Sequence, residues 1–300
     1  MNRALVLSGG GSKGAFEVGV LDYLIHNRRV SFDLFAGSSV GALNAAYLAQ
    51  GGDWISQSRR IEELKKQWLD IRGNRDIYHF NLQQIFHLFT GGSLYEPSGL
   101  KRLIENLIVP EKLRHGKPLL VPTVALEDGE LYLADSRIEQ DRDQITSFLL
   151  ASASIPGYFP MVKIRGKHWV DGGLRENTPL NAVLNRNPRE VFVITTYPLT
   201  PNLDPIFPSF NRTGNTLSII RRVVDILTAE IGSNDLKLIQ QMSSSTYNHY
   251  YRKYFRLSLI TPEHPFTESS LNFSPELIRE YFKLGYQAGR HPRIIFNTFS

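Results

Sequence analysis

A chain of 300 residues with 42% hydrophobic and 21% charged side chains has the composition of an ordinary globular protein with a full core. It contains no cysteine, which excludes disulfides, thiolate metal sites and a cysteine nucleophile and fits a reducing compartment. The net charge of +5 is spread over scattered basic pairs such as Arg28-Arg29 and Arg221-Arg222, a pattern of solvated helix faces. No nucleic-acid motif accompanies the charge, so an anionic membrane surface is a better partner for it than nucleic acid.

Ala4–Ser8 reads as a buried strand, with no signal-peptide pattern ahead of it and no apolar run near the ~20 residues of a membrane span. These features predict a cytoplasmic protein, with peripheral membrane contact as its closest approach to a bilayer. Ala15–His26 follows as a helix, Phe32–Ala36 as a strand and Ala42–Ala49 as a helix of small residues. Ile61, Leu64, Trp68 and Ile71 recur at three- and four-residue steps and mark an amphipathic helix. Leu119–Leu126 and Glu130–Asp135 flank Asp128-Gly129, the signature of a β-hairpin. Ile145–Ser154 reads as a helix, and Lys163–Val170 and Glu190–Thr196 as strands. Pro198 to Asn215 is rich in Pro, Asn and Ser and is expected to be a long loop. Leu217, Ile220, Val224, Leu227 and Ile231 then form an apolar helical stripe, and Arg256–Ile260 a late strand. Ser274-Pro275-Glu276 opens a last helix that Gly289 and Pro292 end. This alternation predicts an α/β fold, with a mostly parallel central sheet covered by helices on both faces. The expected organisation is one domain over residues 1–300. It comprises a catalytic core over 4–196, a candidate cap over 198–250, and a C-terminal strand and helix over 251–300.

Two glycine-rich turns carry the chemistry. Gly9-x-Gly11-x-x-Gly14 fits the dinucleotide fingerprint, with Asp33 about 20 residues further on. In a nucleotide-binding unit that acid ends the second strand, whereas Asp33 stands near its start and Phe35-Ala36-Gly37 follow, which disfavours a nicotinamide or flavin oxidoreductase. A phosphate-binding P-loop fails because Lys13 precedes Gly14 rather than Ser or Thr. The second turn, Gly37-Ser38-Ser39-Val40-Gly41, is G-x-S-x-G between a short strand and a helix, the setting of a nucleophile elbow. It would project Ser39 at a helix N-terminus, where the dipole favours developing negative charge. Ser38 has the same chemistry in the wrong register. The first turn then has a use: N–H groups of Gly9, Gly10 and Gly11 would hold the oxyanion made by Ser39, with Lys13 either adding positive potential or facing solvent.

A serine needs a proton acceptor. None of the eight histidines lies in a telling context, and His168 should face away from Asp171 on an alternating strand. Asp171, in Val170-Asp171-Gly172-Gly173, is the stronger candidate, although an Asp-Gly pair at a strand end serves a turn equally well.

Taken in order, Gly9-Gly10-Gly11-Ser12-Lys13-Gly14, Gly37-Ser38-Ser39-Val40-Gly41 and Asp171-Gly172-Gly173 resemble the patatin-like phospholipases. So do Ala151–Val162, just before the aspartate, and Asn177-Thr178-Pro179, just after it, over a likeness spanning roughly residues 4–196. The resemblance implies a Ser39–Asp171 dyad without histidine and an oxyanion held by the Gly10 and Gly11 backbone. It also implies no metal or cofactor, and a lipid acyl ester, such as a phospholipid, as substrate. The leading expectation is therefore a lipid acyl hydrolase of phospholipase A or lysophospholipase type. An acyltransferase or thioesterase would use the same dyad, and a non-catalytic lipid-binding protein would not need Ser39 and Asp171 intact.

Overall fold

A computed structural model describes residues 2–80, 93–139, 144–209, 216–244 and 255–297. The strands are β1 (Arg3–Leu7), β2 (Leu34–Gly37), β3 (His79–Phe80), β4 (Tyr95–Glu96), β5 (Leu119–Ala125), β6 (Leu131–Asp135), β7 (Val162–Ile164), β8 (Lys167–Asp171), β9 (Glu190–Ile194), β10 (Arg256–Ile260) and β11 (Arg293–Asn297). Apart from the small β3–β4 pair, they form one sheet in the order β11-β10-β9-β1-β2-β5-β8-β7, with β6 also on β5. The pairings from β10 through β9, β1 and β2 to β5 are parallel, and antiparallel strands close both ends.

The helices are α1 (Gly14–Asp22), α2 (Val40–Ala49), α3 (Trp54–Leu69), α4 (Ser98–Leu107), α5 (Pro110–His115), α6 (Gln144–Ser152), α7 (Leu180–Leu184), α8 (Thr216–Ser244) and α9 (Pro275–Ala288). Side chains along β1 alternate between two cores, as the pleat requires. Leu5 and Leu7 join α1, α2, α3 and α9 on one face, while Ala4 and Val6 join α7 and the later part of α8 on the other. α1 and α9 cross backbone to backbone, because Gly19 lies against the Phe282 carbonyl and Gly285 against that of Phe16. Asn44 ties α2 to its neighbours by donating to Gly14 O at 3.2 Å and Glu17 Oε2 at 2.9 Å and accepting from Trp68 Nε1 at 3.0 Å. Burial raises the Glu17 carboxyl well above its ordinary range, against the pull of the Asn44 hydrogen bond.

The sheet register brings two distant turns together. Along β5, odd-numbered residues bond to β6, while even-numbered ones face the opposite edge, where Phe35 N donates to Pro118 O and Leu126 N to His168 O. That edge is shared: β2 occupies its start, at Leu119 and Leu120, and β8 takes over from Thr123 to Ala125. β2 runs parallel to β5 and β8 antiparallel, so the two approach each other head-on. Their C-terminal ends, Gly37 and Asp171, meet above the middle of β5.

The predicted layers and parallel core are present, and three expectations change. Lys163–Val170 is not one strand but the β7–β8 hairpin, turned by Arg165 and Gly166 at φ of 52° and 82°. The first helix passes at Tyr23 into a π-helical turn ending at Asn27. The apolar stripe at 217–231 belongs to a helix of 29 residues. Positions 210–215 of the expected loop, and 245–254, which include the end of the candidate cap and lead to β10, lie outside the described residues.

Candidate active site

β2 ends where the chain must reverse into α2 within three residues. Ser39 makes that reversal at φ 53° and ψ −126°, a conformation costing a non-glycine residue about 1–3 kcal/mol. The two glycines of the motif permit it: a Cβ at Gly37 would overlap the Gly41 carbonyl, and one at Gly41 would stand 2.5 Å from Ser8 O. Backbone bonds hold the turn, with Ser38 N donating to Leu7 O at 3.2 Å and Gly41 N to Ser38 O at 2.9 Å. Ser39 N donates to Ser152 Oγ at 3.1 Å, a contact from the end of α6 that no local sequence signal announces. Ser38 is fully buried and its hydroxyl has no partner among the described residues, whereas Ser39 lines the cavities described below.

At the end of β8, Asp171 accepts a hydrogen bond from Gly173 N at 2.8 Å, and its carboxyl faces the Ser39 hydroxyl. Its side chain is buried, and burial pushes the carboxyl from 3.8 up to about 7 against the pull of the Gly173 N–H and the nearby Ser39 hydroxyl. Among the described residues, no histidine lines the cavities at Ser39. His168 turns outward to Glu127, with Nδ1 2.8 Å from the carboxylate.

The glycine-rich loop leaves β1 on the remaining side. Here the expected donor set narrows. Gly9 N already donates to Asn177 Oδ1 at 3.0 Å and to Asn177 O at 3.3 Å, which removes Gly9 as an oxyanion donor. The N–H groups of Gly10 and Gly11 have no acceptor among the described residues, and both glycines line the same cleft as Ser39. The loop is braced from behind. Thr196 Oγ1 donates to Gly9 O at 2.5 Å, and Ser12 N donates to Ser270 O at 2.7 Å. Asn177 thus joins the loop of β1 to the segment that follows Asp171. Asn177→Ala is expected to lower kcat on a soluble ester on the order of 100-fold by letting these segments drift, with KM little changed. Steady-state kinetics beside a melting curve checks this.

Two cavities meet at Ser39. A cleft of about 470 Å³ is roofed by α8 and contains Gly10, Gly11, Lys13, Asp171 and Arg221. A narrower cavity of about 110 Å³ runs between α2, α3 and α4, with a wall of residues such as Leu43, Trp68, Ile104 and Phe273. Gly11, Ser39, Ile155 and Leu271 line both. Outside both, Asp22, His26 and Glu62 are the described group with metal-ligand spacing, and Lys65 Nζ stands 3.0 Å from Asp22 there.

Against known proteins, residues 5–184 match the family model "Patatin-like phospholipase". The uncharacterized protein YjjU of Escherichia coli is 23% identical over 296 residues, covering 96% of this chain and 76% of its own. Lysophospholipase NTE1 of Cryptococcus neoformans is 24% identical over 191 residues, which is 63% of this chain and 11% of its own length. Human GIVD cytosolic phospholipase A2 superposes with a TM-score of 0.51 at 10% identity, over 96% of this chain and 60% of its own, a likeness of fold. With a family match over more than half its length, built around the strand ends that join Ser39 and Asp171, the chain belongs to the patatin-like phospholipase family.

Proposed function

We propose that this protein is a lipid acyl hydrolase working through a Ser39–Asp171 dyad. Family membership implies hydrolysis of lipids, and a similar protein bears the name lysophospholipase. The observation that carries the finer reading is the seat of Ser39. Its hydroxyl faces a buried carboxylate at the junction of an apolar cavity and a wider cleft whose lining includes Lys13, Asp171 and Arg221. An ester with one long chain and one polar end fits that junction, its acyl chain between α2, α3 and α4 and its head in the cleft under α8.

In this reading Asp171 accepts the Ser39 proton as Oγ attacks the acyl carbonyl. The tetrahedral oxyanion is stabilised by the N–H groups of Gly10 and Gly11, which have no acceptor among the described residues. Collapse breaks the ester C–O bond, and the proton on Asp171 passes to the departing alcohol oxygen. Water then attacks the acyl-enzyme, Asp171 takes its proton, and release of the fatty acid returns that proton to Ser39.

A fluorophosphonate should label wild-type protein at Ser39, as read by peptide mass spectrometry, and incubation with lysophospholipid should release free fatty acid. Labelling elsewhere, or no fatty acid from any lipid ester, would sink the reading. Since no described histidine lines the cavities, each of the eight His→Gln variants should keep turnover of a p-nitrophenyl ester near wild type. One folded His variant as inactive as Ser39→Ala would replace the dyad by a triad.

A further inference from the structure

α8 is two-faced in an unusual sense. Its later part is anchored conventionally, with Ala229, Leu236 and Ile239 buried against the second face of the sheet. The earlier part reaches over the cleft, and there polarity is inverted. Ser218, Arg221, Arg222, Asp225 and Thr228 turn toward the cleft. The outward side chains between 218 and 229 are Ile219, Ile220, Val223, Ile226 and Leu227, each between 36% and 53% exposed. Their spacing of three, four and seven residues makes them one continuous stripe. A helix in water carries the opposite arrangement, and contiguous exposed apolar surface of this kind marks a contact with something apolar.

We propose that this face of α8 is a membrane-docking surface that inserts into the headgroup–acyl boundary of a bilayer and holds the cleft mouth against it. This rests on the reading of the site as a lipid acyl hydrolase. Three observations select a lipid surface as the occupant. The stripe lies on the helix that roofs the cleft, so whatever covers it sits beside the route to Ser39. Ile206, on the loop lining the same cleft, is also exposed and extends the apolar rim. Finally, the outward face carries no charge between 218 and 229. Arg221 stacks on Tyr158 with its guanidinium 5.9 Å from the ring centre, and Arg222 donates to Pro208 O at 2.8 Å. Docking is therefore apolar rather than electrostatic. The stripe expected at Leu217–Ile231 divides accordingly: Ile220 and Leu227 face outward and Val224 lines the cleft.

The test uses full-length Ser39→Ala protein, so that binding is read without turnover, and vesicles of phosphatidylcholine alone. Cosedimentation is expected and should persist at about 1 M salt, where screening leaves a Debye length of only about 3 Å. Adding Ile219→Glu and Val223→Glu should lower the bound fraction at least tenfold. In the active protein the same pair should leave turnover of a short soluble ester and the melting temperature unchanged, while release of fatty acid from vesicles falls in parallel. Equal vesicle binding with and without the two glutamates overturns the proposal. So does loss of binding at high salt, or a light-scattering dimer that the glutamates dissociate in a protein that ignores vesicles. Vesicle binding sensitive to the glutamates in a wild-type protein that hydrolyses no ester would uphold the docking face and overturn the catalytic reading.

Discussion

Ser39→Ala is expected to reduce ester turnover by at least ~10⁴-fold, because in the proposed mechanism every covalent step passes through its hydroxyl. Substrate binding should survive, since both cavities and the Gly10 and Gly11 donors remain. Ser38→Ala is the informative companion. That hydroxyl is fully buried, has no partner among the described residues and lines neither cavity. Its removal should leave kcat/KM within a few-fold of wild type. The measurement is p-nitrophenyl butyrate hydrolysis by both variants, with fluorophosphonate labelling as an activity-independent readout. Comparable losses in the two variants would mean that the elbow has been read one residue out of register. An alanine at 39 must also adopt φ 53°, so the variant keeps the backbone strain and any change in melting temperature should be small.

Asp171→Asn should lower turnover by about 10²–10⁴-fold, the usual contribution of a positioned base. The wild-type protein should show the matching pH dependence. Burial raises the carboxyl to about 7, and only its ionised form accepts a proton. kcat/KM on a soluble ester should therefore rise tenfold per pH unit below about 7 and level off above it. Glu176 and Asp235 are raised to about 7 as well, both by burial and Asp235 also by the charge of Glu176. Glu176→Gln separates them, because the limb should stay in place without it. The stability sign is opposite to that of a salt-bridged aspartate. Below pH 3.8 the folded and unfolded states both hold the Asp171 proton. Between 3.8 and about 7 the unfolded state ionises first, so folding loses stability as pH rises. The full penalty, about 4 kcal/mol at most, is present above pH 7. Asp171→Asn should accordingly melt higher than wild type at pH 8 and lose that advantage near pH 4. An inactive asparagine variant that is also less stable at pH 8 would make Asp171 a structural residue.

The parts of this fold that announce themselves in sequence are those whose cause is local. Ser8-Gly9-Gly10-Gly11 and Gly37-Ser38-Ser39-Val40-Gly41 are turns whose geometry demands small residues at fixed offsets, so strand, turn and helix could be placed around them. The β7–β8 hairpin escaped because its turn is only the dipeptide Arg165-Gly166, and an arginine at positive φ is not a standard turn signal. Asp171 shows the limit most clearly. As a local pattern it is a turn-former, and its meeting with Ser39 follows from β8 sharing an edge of β5 with β2, a pairing visible only in the register. Gly9 was legible as part of a glycine loop but not as already satisfied, since its partner Asn177 is 168 residues away. α8 was legible as amphipathic, while the side of its stripe that meets water depends on where its later part is anchored.

The brace behind the glycine-rich loop has a consequence for how this protein comes off the ribosome. The stretch matching the family ends at residue 184, yet β1, which carries that loop, takes β9 from residues 190–194 as a neighbour, and Ser12 is fixed by Ser270. α1, directly after the loop, waits for α9 before its Gly19 face is covered. A nascent chain that already contains Ser39 and Asp171 thus has an open strand edge beside a half-supported loop, a surface that invites pairing with other chains. Such long-range closures are also slow to form. Synthesis order itself then delays the lipid-cleaving chemistry until almost all of the described chain has been made, and a product truncated after residue 184 would be prone to aggregate rather than catalyse.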